Sequence, residues 1–336
     1  MPDFVGDTVS DSMTDNTKLL GISNAIVDVL SHVDGEFLDA IGAPPGSMTL
    51  IDKARAKEIY ARMGPSTEMS GGSVANTVAG FANLGGAAAY IGRVADDQLG
   101  EIFTHDMASL GVDVRLAPRP AKSPTARCHV LITADGQRTM QTYLGACTEL
   151  AVADVTAQTI GAPAVILIEG YIFDLAEGPG VAMRAIEIAR STGSKVALSL
   201  SDSFCVERHR DAFHDAVRNG VDIVVADEDE INALLFTDNF DDTLKALDGY
   251  DNLFAMTRSE KGSVIRHGRL TVVQAATPVE RIIDTTGAGD AYTAGFLFGW
   301  AHGRSLQESA ELGTYCATRV IQQVGARIER GVLDDY

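Results

Sequence analysis

Two carboxylates, two hydroxyls and two glycines crowd into the segment Asp284-Thr285-Thr286-Gly287-Ala288-Gly289-Asp290. An apolar run of small residues, Ala291-Tyr292-Thr293-Ala294-Gly295-Phe296-Leu297, follows at once and reads as a buried helix. With no side chain at Gly287 or Gly289, the backbone N–H groups of Gly287, Ala288 and Gly289 can converge on an anion. The helix behind them turns its positive end toward the same point. Asp290 then stands at the mouth of an anion site, where an alcohol nucleophile needs a general base. Together these features predict a pocket for a travelling phosphoryl group. A plain glycine turn with Asp290 as N-cap explains part of the pattern, but not acids on both sides of it.

A second segment, Ser70-Gly71-Gly72-Ser73-Val74-Ala75-Asn76, opens another helix of small residues. A polyol can approach the bare backbone at Gly71 and Gly72, and Asn76 can donate to and accept from a hydroxyl. Taken alone, the segment is equally an ordinary close-packed helix start. A third, Gly21-Ile22-Ser23-Asn24-Ala25-Ile26-Val27-Asp28, reads as a strand ending in Asn24 and Asp28. That places a carboxylate at the carboxyl edge of a parallel sheet, where ligands bind in such folds, and it can accept from vicinal hydroxyls. Ile91 to Gly100 reads as a strand-turn-helix junction with a structural role.

The elements that must hold these residues alternate between strand and helix patterns. Leu19 to Ile22, Ala164 to Ile168, Lys195 to Leu200 and Val221 to Ala226 read as buried parallel strands, and Gly180 to Ser191 has helical spacing. Such alternation predicts an α/β fold, a three-layer αβα sandwich around a mostly parallel sheet. Two regions break the rhythm, 31–50 and 112–148. In the second, Arg127 to Thr133 and Arg138 to Leu144 flank an Asp135-Gly136 turn, which predicts a hairpin. Both regions are expected to leave the body as a small β lid. The large domain is then 18–30, 51–111 and 149–330, with residues 1–17 as a polar, acidic, disordered tail.

The chain has 336 residues, a net charge of −19 and 46% hydrophobic residues, enough for one large domain with an appendage. Such acidity argues against nucleic acid and anionic membranes as partners and leaves a small-molecule substrate. A phosphorylated ligand is still allowed, because Mg²⁺ and backbone dipoles offset repulsion. The four cysteines lack metal-ligand or CxxC spacing, and no secretory or membrane-spanning pattern is evident, so a cytoplasmic location is expected. His209-Arg210-Asp211 spells a protein-kinase triplet without its companion motifs. There is no GxxxxGK[ST] loop, and Asp238 to Asp242 lacks calcium-loop offsets.

The order of these motifs, with Gly92-Arg93-Val94-Ala95-Asp96-Asp97 between them, resembles the ribokinase-like (PfkB) carbohydrate kinase family over about Leu19 to Ile328. Within that family the details are similar to the adenosine kinase branch. The resemblance implies ATP-dependent phosphoryl transfer to a primary hydroxyl, foremost the 5′-hydroxyl of adenosine, with Mg²⁺ and often a stimulating monovalent cation such as K⁺. It makes Asp290 the base and Gly287, Ala288 and Gly289 the anion hole. Asn24, Asp28, Gly71, Gly72 and Asn76 match substrate-holding positions, and Tyr171 matches an aromatic residue that packs on the purine. Arg138 matches a lid arginine that reaches the reacting group, and Asp284 and Thr286 match monovalent-cation positions. Glu230 matches an acid that organises Mg²⁺ and phosphate, with Asp227 standing where the family usually has Asn. Ser259 stands where the family often has Gly. In this family an exposed lid sheet can mediate homodimers. Two rivals remain open at this point: a kinase of a free sugar or sugar acid (fructose, ribose, 2-keto-3-deoxygluconate), and a non-catalytic nucleoside-binding protein on the same fold.

Overall fold

A computed structural model describes residues 17–117 and 120–336. The expected N-terminal tail lies almost wholly outside the described residues. Among the described residues fourteen strands form two sheets: β1 Leu19–Ile22, β2 Ile26–His32, β3 Met48–Leu50, β4 Thr67–Gly71, β5 Ala88–Gly92, β6 Val112–Leu116, β7 Ala126–Ile132, β8 Arg138–Tyr143, β9 Val165–Glu169, β10 Lys195–Ser199, β11 Ile223–Asp227, β12 Leu253–Thr257, β13 Ser263–His267 and β14 Leu270–Gln274. The large sheet has the order β14-β13-β12-β11-β10-β9-β1-β5-β6. It is parallel from β12 to β6, and β13 and β14 close one edge as antiparallel strands.

The central strands are apolar on both faces because both faces are covered. Along β9, Ile166 and Ile168 enter one core with the helices Gly178–Thr192, Ser203–Asn219 and Glu228–Leu235. Val165 and Leu167 enter the other, with Ser73–Asn83, Ala288–Ala301 and Leu306–Val320. This is the three-layer sandwich anticipated above. The Ala288–Ala301 helix is buried continuously from Ala291 to Gly299, which explains why its sequence lacks a polar face.

The small sheet has the order β3-β8-β7-β2-β4 and contains the expected hairpin, β7 and β8. Its boundaries correct the sequence reading in two places. Val112–Leu116 is not part of the lid; it pairs in parallel with β5 as an edge of the large sheet, and Val112 enters the large core. Conversely β4 and residues 26–30 of β2, expected in the large domain, belong to the small sheet. The chain crosses between sheets at Ser23-Asn24-Ala25, so an apparently continuous strand pattern is two strands in two sheets. The helices Gly35–Ala40 and Lys53–Arg62 cover one face of the small sheet through Leu38, Ile41, Ile59 and Leu131. Among the described residues no helix is long and apolar enough to cross a membrane.

Candidate active site

The first two of the four chain crossings between the sheets converge on the carboxyl ends of β1 and β9. Asn24 lies just past β1, and its backbone N–H donates to Glu169 Oε2 at 2.9 Å. At the second crossing, from β4 into the Ser73–Asn83 helix, the Val74 N–H donates to Glu169 Oε1 at 3.3 Å. Burial pushes the Glu169 carboxyl up to about 7, against the two N–H donors. One buried carboxyl thus fastens both crossings. Glu169 is a site residue that no motif in the sequence marks. Its signal was a lone acid closing the otherwise apolar strand Val165–Glu169.

The paired glycines have distinct reasons. A Cβ on Gly71 would sit 2.3 Å from the Asp28 carboxyl, so the bare backbone makes room for that acid. Gly72 has φ +97°, and a Cβ there would approach the Asn24 carbonyl oxygen at 2.8 Å. Asp28 itself is on β2, paired opposite Met69, not at the carboxyl edge of the large sheet as its spacing suggested. It therefore faces the site from the small sheet, while Asn24 faces it from the large one. Burial raises the Asp28 carboxyl to about 6, partly offset by the fields of Arg327 and Arg138.

Asp290 lies in the first turn of the Ala288–Ala301 helix. Its Oδ1 accepts from Ser73 Oγ at 2.6 Å and its Oδ2 from Asn76 Nδ2 at 3.1 Å. Burial lifts its carboxyl to about 6, and these two donors and Arg327 pull the other way. The first N–H groups of a helix have no partners within it. At Gly287, with φ +76°, a Cβ would run into the Ala326 backbone at 2.5 Å, whereas a Cβ on Gly289 would meet nothing within 4 Å. The start of this helix is thus open on the side of Gly289, and Asp290 stands beside it.

Asp284 is engaged by the protein. Its Oδ1 accepts from the Thr286 N–H at 3.0 Å, its Oδ2 from the Gly325 N–H at 3.0 Å, and the Arg138 guanidinium pairs with it. These contacts hold its carboxyl below the usual range despite partial burial. Arg138 thus does reach the site from β8, but it rests on Asp284.

Asp227 and Glu230 form a reciprocal capping box at the Glu228–Leu235 helix, Glu230 N–H to Asp227 Oδ1 at 2.8 Å and Asp227 N–H to Glu230 Oε2 at 2.9 Å. Burial and the neighbouring Asp227 charge raise Glu230 to about 8. Tyr171 lies on the short turn Gly170–Asp174 and packs on the core beside the site, with burial raising its phenol. Ser259 adopts φ +49°, a conformation natural to glycine, which accounts for the residue type expected there. All four cysteines are buried and unpaired in disulfides.

A separate concavity of about 760 Å³ lies at the opposite edge of the large sheet. Its Arg190 and Arg218 occupy last turns of helices, where cations answer the helix C-terminal dipole, and Lys195 pairs with Asp222 at 2.7 Å. None of the chemistry-bearing motifs reaches it.

The pattern of the pfkB family carbohydrate kinases matches residues 47–330. The crystal structure of adenosine kinase from Sinorhizobium meliloti superimposes with a TM-score of 0.86 at 46% identity, covering 95% of this chain and 98% of that one. A probable sugar kinase from Rhizobium etli CFN 42 gives a TM-score of 0.86 at 43% identity, covering 95% and 97%. Adenosine kinase 1 of Arabidopsis thaliana is 25% identical over 339 residues, covering 91% of this chain and 94% of its own.

Proposed function

Because the chain belongs to the pfkB carbohydrate kinase family, we propose that it transfers the γ-phosphoryl group of ATP to the 5′-hydroxyl of adenosine. The observation that carries the phosphoryl-transfer reading is Asp290, gripped by Ser73 and Asn76 beside the open N-terminus of the Ala288–Ala301 helix. In this reading Asp290 accepts the proton of the attacking hydroxyl. The N–H groups of Gly287, Ala288 and Gly289 receive the charge on the transferring phosphoryl oxygens. Asp28, Gly71, Gly72, Asn24 and Asn76 align the ribose hydroxyls from both sheets, and Tyr171 walls the base. Arg138 leaves Asp284 for the transferring group as the small sheet closes and excludes water.

The site suits a nucleotide and Mg²⁺. No group of three or more His, Cys, Asp or Glu side chains among the described residues forms a metal cage. Magnesium commonly uses one or two carboxylates with substrate phosphates and water, and Asp227 and Glu230 are available for that. When bound, Mg²⁺ would neutralise charge between the β- and γ-phosphates. A monovalent cation at Asp284 and Thr286 would compete with Arg138 for the same carboxylate.

For adenosine as acceptor, the support is the 46% identity to the Sinorhizobium meliloti enzyme. The 43% identity to the Rhizobium etli probable sugar kinase favours the second reading, a free-sugar or sugar-acid acceptor. ADP release with Mg-ATP, measured with adenosine, inosine, ribose, fructose and 2-keto-3-deoxygluconate, with and without K⁺, decides between them. Turnover confined to adenosine upholds the proposal. Turnover on a sugar alone replaces the acceptor and the role of Tyr171 but keeps the base and anion hole.

A further inference from the structure

Arg327 lies beyond the last long helix, yet it is wired to Asp290 through one intermediary. Its Nε donates to Asn76 Oδ1 at 3.2 Å, across 251 positions of chain. Its other nitrogens hold Asp106 Oδ2 at 3.0 Å and Ser70 Oγ at 2.8 Å, and also reach the Ser70 carbonyl. Ser70 is the residue that leads into Gly71 and Gly72, and its own N–H donates to Asp106 Oδ2 at 2.9 Å. The guanidinium fork thus ties the C-terminal segment to β4, to the Gln98–Ser109 helix and to Asn76 at once.

The consequence lies in the chemistry of an amide. Asn76 has one acceptor end and one donor end. With Oδ1 accepting from Arg327, Nδ2 must face Asp290, as it does at 3.1 Å. Without Arg327 only the bond to Asp290 itself selects the donor end of the amide, and a turned amide would remove a donor and set two oxygens against each other. We propose that Arg327 is a positioning residue for phosphoryl transfer, fixing the Asn76 amide so that it presents a donor to Asp290 and holding that carboxylate in its reactive, charged form. The inference rests on Asp290 as base.

The field around Asp290 is otherwise short of cations. The carboxyls of Asp28, Glu169 and Glu230 all feel its charge, each raised in part by it, while Ser73 and Asn76 donate to it. Arg327 lowers both Asp290 and Asp28, and Arg138, the other nearby cation, acts on Asp28 and is paired with Asp284.

The test compares Arg327→Met, Arg327→Lys and Asp106→Asn in the full-length protein, on whichever acceptor the wild type turns over. Arg327→Met is expected to lower kcat about 10- to 100-fold and to move the acidic limb of the kcat profile upward by about half a unit to one unit. Arg327→Lys, which keeps charge without the fork, should recover the limb more than the rate. Asp106→Asn loosens the outer end of the network and should lower Tm without raising the limb. If Arg327→Met lowers Tm like Asp106→Asn but leaves kcat and the limb in place, Arg327 is merely structural and the proposal falls. Should the wild type phosphorylate none of the acceptors, the functional reading fails separately. The wiring is then read by ¹³C NMR titration of the Asp290 carboxyl, assigned with Asp290→Asn. An unchanged titration in Arg327→Met overturns the inference, and an upward shift sustains the electrostatic link.

Discussion

Two glycine-led helices meet at the site, and they treat their N-termini differently. The Ser73–Asn83 helix begins after Gly71 and Gly72, and the protein's own acid fills its start, Glu169 Oε1 accepting from the Val74 N–H at 3.3 Å. The Ala288–Ala301 helix begins after Gly287, and beside Gly289 there is open space. Helix starts attract anions in proportion to the N–H groups left unpaired. The first helix gives one of its free N–H groups to the protein's own acid and turns the side chains of Ser73 and Asn76 to the site. The second keeps its start open, and the proposed reaction would use it for a visiting phosphate. Their first-turn residues then join, since Ser73 and Asn76 of one hold Asp290 of the other.

The largest expected effect is on the residue the two helices share. Asp290→Asn should lower kcat by about 100- to 10,000-fold with acceptor affinity within a few-fold, as calorimetry and steady-state rates would report. Near-normal turnover would remove Asp290 as base. Next comes the open helix start. Gly289→Val has room for its Cβ and should leave Tm nearly unchanged, yet crowd the cradle and cut kcat/KM for ATP by about 100- to 1,000-fold. Unaltered ATP kinetics would show that phosphate does not bind there. At the filled helix start, Glu169→Gln puts an amide donor against one of two N–H groups. Leaving that donor unpaired should cost about 1–3 kcal/mol in denaturant unfolding, and no loss would mean the two crossings are not fastened by this acid.

Effects of pH separate activity from stability. With Asp290 and Asp28 both raised to about 6, kcat/KM should fall as pH drops through that region, the two groups titrating as a coupled set. Stability runs the other way. Asp28, Glu169, Glu230 and Asp290 are raised to about 6, 7, 8 and 6, so the folded protein holds these protons more tightly than the unfolded chain. That contribution is full below the ordinary carboxylate values near 4 and is lost as pH rises through about 6 to 8. Calorimetry of the unliganded protein should therefore find a higher Tm at pH 5.5 than at pH 8, with a smaller difference in Asp290→Asn. An equal difference in that variant would mean the Asp290 carboxyl is not strained by burial.

Much of this site was legible locally. The anion cradle, the helix after it and the hairpin Ala126–Ile132 with Arg138–Tyr143 follow from glycine, turn and periodicity rules that act over a few residues. Sequence also placed Asp290, Gly71, Gly72 and Asn76 in one expected site, and the structure brings Asn76 to Asp290 and Gly71 to Asp28. What failed was assignment to sheets. Asp28 and Val112–Leu116 alternate in a way that suits either sheet, and only strand pairing settles which.

Local chemistry in the chain itself determined that there are two bare helix starts, a carboxylate at the head of one and an αβα alternation to carry them. Tertiary structure alone decided that Glu169 accepts from one start, that Arg138 rests on Asp284, and that Arg327 donates to Asn76. The physical reason is range. Backbone conformation and capping are set by neighbours within a turn, whereas a buried carboxyl or guanidinium takes whichever partners the packed layers bring within hydrogen-bond reach, however distant in sequence.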